Sequence, residues 1–181
     1  FQKFVEDIEK SIKIFNDKLG YNPSFFSYPF GEYNLEQKNY ISNNFEFAFG
    51  QHSGVIDLNK DRYELPRFPI NEKYGEIKRF KEVISYLPLQ YKIIKPENKF
   101  MNDGENPPKM TIEFFEDQKN LENINCFSNE GSKWRKTKII LNDNILNINF
   151  SEKFIERRGR INCSLKDENG WRFSGFQFVQ N

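Results

Sequence analysis

Apolar residues at Phe1, Phe4, Val5, Ile8, Ile12, Phe15 and Leu19 recur at the i, i+3, i+4, i+7 spacing, with lysines and glutamates between them. The pattern predicts an amphipathic helix of about five turns that stops at Gly20. Pro23 then opens a short apolar strand over 25–28, followed by a helix over 35–44 and a second strand over 45–49. Residues 59–62 form a polar loop. Residues 65–70 are extended, because Pro66 and Pro69 exclude helix. Ile77, Phe80, Val83, Ile84 and Leu87 mark a third helix, ended by Pro88. This alternation predicts an α/β fold with a parallel sheet.

The period changes after Lys92. A stretch rich in Pro, Asn and Glu with few apolar side chains reads as an interdomain linker over 95–108. From Met110 apolar and polar residues nearly alternate, and strands are expected over 110–115, 121–126, 137–141, 145–150, 160–165 and 172–179. Polar turns such as Asn142-Asp143-Asn144 and Asp167-Glu168-Asn169-Gly170 separate them. Residues 109–181 therefore read as a small all-β sandwich, and residues 1–94 as a separate α/β unit.

Composition narrows the function classes. Hydrophobic residues make up 37% and charged residues 29% of the chain, which fits a packed domain rather than a disordered or membrane one. The net charge is +1 and no basic run stands out, so no nucleic-acid partner is expected. No apolar run approaches the ~20 residues of a membrane span. The chain starts at Phe1, already in helical register, and reads as a piece of a longer protein. Aromatics reach 17%, most of them phenylalanine, and part of this is core filling.

The segment Phe25-Phe26-Ser27-Tyr28-Pro29-Phe30-Gly31-Glu32-Tyr33 reads as a strand that ends in a rigid aromatic turn, a usual way to place backbone N–H groups at a pocket rim. It resembles the third motif of the polysaccharide deacetylases with a NodB-type domain. Ala48-Phe49-Gly50-Gln51-His52-Ser53-Gly54, Leu65-Pro66-Arg67-Phe68-Pro69 and, more weakly, the surroundings of Cys126 and Cys163 resemble further elements of one branch of that family. The resemblance implies half of a distorted (β/α) barrel followed by a β-sandwich. It also implies metal-dependent hydrolysis of N-acetyl (or O-acetyl) groups on a polysaccharide, and a periplasmic or secreted location. The family's paired Asp-Asp and His-x-x-x-His motifs are missing; the only histidine is His52. A divalent metal such as zinc is thus expected in a full-length parent and not in this chain alone. The alternative is a non-catalytic carbohydrate-binding or envelope scaffolding protein derived from the same fold.

The resemblance assigns the residue after the proline, Phe30, as a main-chain oxyanion donor. The motif's usual Arg falls on Ser27, and Arg67 is the nearest candidate to replace it; Arg67 is equally well read as a surface residue. Tyr28 and Pro29 would wall a pocket or simply end a strand. His52 would contact substrate or sit as a plain loop residue. Trp134 and Trp171 offer flat faces suited to a sugar ring, or are core and edge residues; Trp171, next to the Asn169-Gly170 turn, is the stronger of the two. Cys126 and Cys163, in expected strands of one small domain, are either bonded or two buried thiols.

Overall fold

The computed structural model describes residues 1–102 and 104–180. Helix α1 (Gln2–Leu19) ends at Gly20, whose left-handed φ of 80° lets its N–H bond the Asn16 carbonyl. Strand β1 (Phe25–Ser27) follows, then a single 3-10 turn, Pro29–Gly31. Helix α2 (Leu35–Ser42) opens on a capping box: Asn34 Oδ1 accepts from the Gln37 N–H, and Gln37 Oε1 accepts from the Asn34 N–H. Strand β2 (Phe47–Phe49) pairs in parallel with β1. Ile8 from α1, Ile41 from α2, Tyr28, Tyr33, Phe45 and Ala48 form the core of this region. Helix α3 (Ile77–Ile84) comes later and buries no residue fully.

The rest is sheet. Strands β3 (Leu87–Pro88), β4 (Ile93–Lys95) and β5 (Phe100–Met101) are short. They precede β6 (Met110–Glu113), β7 (Asn125–Ser128), β8 (Arg135–Lys136), β9 (Lys138–Asn142), β10 (Ile145–Asn149), β11 (Arg158–Asp167) and β12 (Gly170–Gln180). One sheet runs β4-β6-β10-β9; a larger one runs β3-β12-β11-β7-β8, with β5 also on β12. Met110, Ile112, Leu146 and Ile148 from the first sheet meet Ile161, Cys163, Leu165, Phe176 and Phe178 from the second in one dry core. Cys126 and Cys163 lie directly opposite each other on β7 and β11, with Cα atoms 4.1 Å apart, and are joined by a disulfide.

The expected α/β class with a partial (β/α) barrel is corrected: the described residues are β-rich and form no such barrel. The physical reason lies between 50 and 76. A barrel needs a series of parallel strands that tilt and close, and among the described residues the strands of the first half form one parallel pair with each other, β1 with β2, while the two-residue β3 runs parallel to β12 in the other sheet. Residues 65–70 are extended but add only one bridge, Phe49 to Leu65. Pro66 and Pro69 lack the N–H groups that a ladder requires. The linker segment 95–108 is also tied into the sheets: β4 pairs with β6, and β5 with the end of β12. The segment at 121–126 begins as a 3-10 turn, Leu121–Asn123, before β7.

The β12 edge joins the two halves. β3 pairs with Arg172 and Phe173, Gly54 bridges Ser174, and β5 pairs with Val179 and Gln180. Gly175 is glycine for a packing reason: a Cβ there would collide with the Ser53 carbonyl and lie 2.7 Å from Asn162 Oδ1. The loop after β2 thus sits directly on β12.

Candidate functional site: the turn after β1 and the polar cluster behind it

The Tyr28 N–H completes the β1–β2 ladder by bonding the Phe49 carbonyl at 3.0 Å, so the chain leaves the sheet at Pro29. Phe30 then takes φ 57°, ψ 8°, a left-handed conformation that a residue with a Cβ seldom adopts. Gly31 follows with φ 69°. The turn closes through Gly31 N–H to Tyr28 O at 2.9 Å and Glu32 N–H to Pro29 O at 3.1 Å. Among the described residues no hydrogen bond engages the Phe30 N–H. The Phe30 ring is 63% exposed, at the carboxyl end of a parallel strand. In parallel-sheet proteins ligands bind at that end.

The β-rich half braces this turn. Gln177 Nε2 donates to the carbonyls of Phe30 (3.3 Å) and Gly31 (3.0 Å). Arg157 Nε and Nη2 donate to the Glu32 carboxylate at 2.9–3.1 Å. The Arg158 guanidinium lies 5.2 Å from the Phe30 ring centre. Gly31 packs so closely on Gln51 that an added Cβ would come within 2.5 Å of the Gln51 nitrogen.

The candidate side chains face different ways. Tyr28 is buried, stacked on Tyr33 at 4.3 Å, and its hydroxyl has no partner among the described residues. Burial, and then the charges of Asp61 and Glu64, push that hydroxyl above the ordinary tyrosine range. Pro29 is exposed. Arg67 is exposed, with Nε on the Gly50 carbonyl at 2.9 Å and its N–H on the His52 carbonyl at 3.0 Å. Turn and Arg67 therefore flank the same short segment, Gly50 to His52, through main-chain contacts. Trp171 is 47% exposed at the opposite end of β12 from Gln177, beneath Lys166. Trp134 is also exposed.

Behind the turn is a polar cluster that sequence reading did not assemble. Tyr33 donates to Glu64 Oε2 at 2.9 Å, and Lys38 Nζ lies 2.8 Å from Asp61 and 3.6 Å from Glu64. Lys60 Nζ sits over the Tyr91 ring at 3.8 Å and donates to Ser174 Oγ at 3.0 Å. His52, Lys99 and Gln177 complete a cavity of about 10 Å³, the room of one water molecule. Burial, then the charges of Lys60 and Lys99, lower the His52 imidazole to about 3, so it is neutral. Burial lowers Lys60 to about 8 and Lys99 in the same direction. Lys38 goes the other way: burial opposes its charge, but Glu64 and Asp61 raise it. The one signal in the sequence was Gln177, a polar residue between Phe176 and Phe178.

Among the described residues no three His, Cys, Asp or Glu side chains group closely enough to hold a metal ion. The residues present do not fit the metal that the resemblance implies, and no chemical step is derived through one. No described helix is long and apolar enough to cross a membrane. No protein-family profile matches the chain, and no match was found among curated proteins or solved structures.

Proposed function

We propose that this chain is the C-terminal portion of a polysaccharide deacetylase, and that the Phe30 main-chain N–H is its oxyanion donor. The observation that carries the reading is the conformation of Phe30: a left-handed residue just past a parallel strand, its N–H without a partner among the described residues and its ring in solvent. Water adds to the acetamide carbonyl, and the carbonyl oxygen becomes an oxyanion that a preorganised N–H stabilises. The C–N bond then breaks, acetate leaves, and the amine takes the proton. A donor fixed in place before the charge develops needs no reorganisation, and one such donor typically contributes about 10²–10³ in turnover. Following the resemblance, the metal and the general base come from residues outside the 181 of this chain. The disulfide is compatible with a periplasmic or secreted setting.

The test uses the complete natural protein and measures acetate release from acetylated glycan oligomers. Phe30→Pro is a poor probe, because proline cannot adopt φ 57°. Replacing Phe30 by phenyllactic acid turns the amide into an ester and removes only the N–H. That change should lower turnover about 10²–10³-fold, whereas Phe30→Tyr and Phe30→Gly keep the donor and should stay near the parent. Equal turnover in the ester variant would sink the oxyanion assignment. Glycan binding without acetate release would favour the non-catalytic carbohydrate-binding alternative.

A further inference from the structure

A second concavity lies further along the same sheet from the Phe30 turn. Arg158, Arg160 and Asn162 alternate onto one face of β11, which is the same face that β12 presents through Gln177, Gly175 and Phe173. Arg158 is beside Phe30. At Asn162 the face opens into a cleft of about 370 Å³ between α3 and the sheet. Its floor is three mutually packed rings: Tyr86 stacks on Phe173 with an interplanar angle of 9° at 5.5 Å, and Phe68 lies 5.5 Å from Phe173 and 5.8 Å from Tyr86. Its rim carries the Ser53 hydroxyl, the Asn162 amide and the Glu82 carboxylate. None of the three side chains has a hydrogen-bonding or ionic partner among the described residues.

We propose that this cleft binds one pyranose ring of a glycan chain. A sugar ring has an apolar face of C–H groups and an edge of hydroxyls. The first suits an aromatic floor, and the second suits an amide, a hydroxyl and a carboxylate whose hydrogen-bonding groups are otherwise unused. The volume falls in the range of small-ligand sites. The open face of β11 between Phe30 and Asn162 gives an extended polymer a path from one place to the other. The choice of a glycan as ligand rests on the deacetylase reading; the position of the site rests on the cleft itself.

Amide NMR of the isotope-labelled chain, titrated with the β-1,4-linked tetramer of N-acetylglucosamine, tests the site without any turnover. Saturable shifts are expected at Ser53, Tyr86, Asn162 and Phe173, with a Kd of about 1 mM. Asn162→Ala and the exposed Glu82→Gln should each weaken binding about fivefold at unchanged Tm. If Asn162→Ala fails to fold, Glu82→Gln decides. Three outcomes overturn the proposal: no saturable shift by about 10 mM ligand, shifts confined to the surroundings of Trp134 or Trp171, or variants that bind as tightly as the parent. Binding in the cleft without acetate release by the natural protein leaves the cleft standing and removes the deacetylase reading. Acetate release without cleft binding removes the cleft alone.

Discussion

Phe30 pays a conformational penalty that its neighbours hold in place. A non-glycine residue in the left-handed region costs roughly 1–2 kcal/mol, and Gln177 opposes relaxation by donating to the consecutive carbonyls of Phe30 and Gly31. Gln177→Leu would keep the size and remove both donors. It should lower stability by about 1–3 kcal/mol, the cost of leaving buried acceptors unpaired, as measured by urea unfolding. Amide exchange at Gly31 and Glu32, whose N–H groups close the turn, should speed up in the same variant. Unchanged exchange there would show that the turn holds its shape without Gln177. Phe30→Gly, by contrast, removes the steric cost and should leave Tm equal to or above that of the parent.

At the scale of elements, local signals predicted what local forces decide. The α1 spacing, the second helix placed at 35–44 and the alternation in β9 to β12 were readable from the sequence, and the structure contains those elements. The expected barrel does not form, because the α/β alternation of the first half does not specify how many strands pair. β1 and β2 form a sheet of two, and prolines keep 65–70 out of it. The Tyr28-Pro29-Phe30 turn was legible as a strand end. The cluster behind it was not: the segment carrying His52, Lys60 and Glu64 is distant in sequence from Lys99 and from Gln177, and the three meet because the β12 edge between β3 and β5 is left for the Gly54 loop to cover. Two substitutions probe this level. Gly175→Ala would drive a methyl group into the Ser53 carbonyl and should cost about 1–3 kcal/mol by overpacking, read as a lower urea midpoint. Cys126→Ser with Cys163→Ser opens a cross-link that spans 37 residues of sequence and should cost about 2–4 kcal/mol. A double variant as stable as the parent in non-reducing buffer would show that the β7–β11 ladder needs no staple.

For the whole molecule, the buried polar cluster makes stability depend on pH in two windows. His52 titrates at about 3 when folded, against 6.5 when exposed. Between these values the unfolded chain binds the extra proton, so stability rises with pH across this window, is complete above about 6.5, and is lost as pH falls toward 3. Lys60 follows the same sign at higher pH. Its folded value is about 8 against 10.5, so the unfolded chain again holds the extra proton between them, and stability rises from about 8 to 10.5. Lys99 is shifted in the same direction and adds to the second rise. Urea unfolding over a pH series should therefore show two ascending segments separated by a flatter region near neutrality, on top of the contributions of ordinary carboxylates at low pH. His52→Gln should remove part of the acid segment and leave the alkaline one. Lys60→Met should flatten the alkaline segment and raise stability at neutral pH, because it removes the cost of burying a charge while keeping an apolar stem over Tyr91. An alkaline segment that persists undiminished in Lys60→Met would mean that the Lys60 ammonium is solvated in the folded protein, and that the junction between the two halves is looser than its contacts with Ser174 and Tyr91 require.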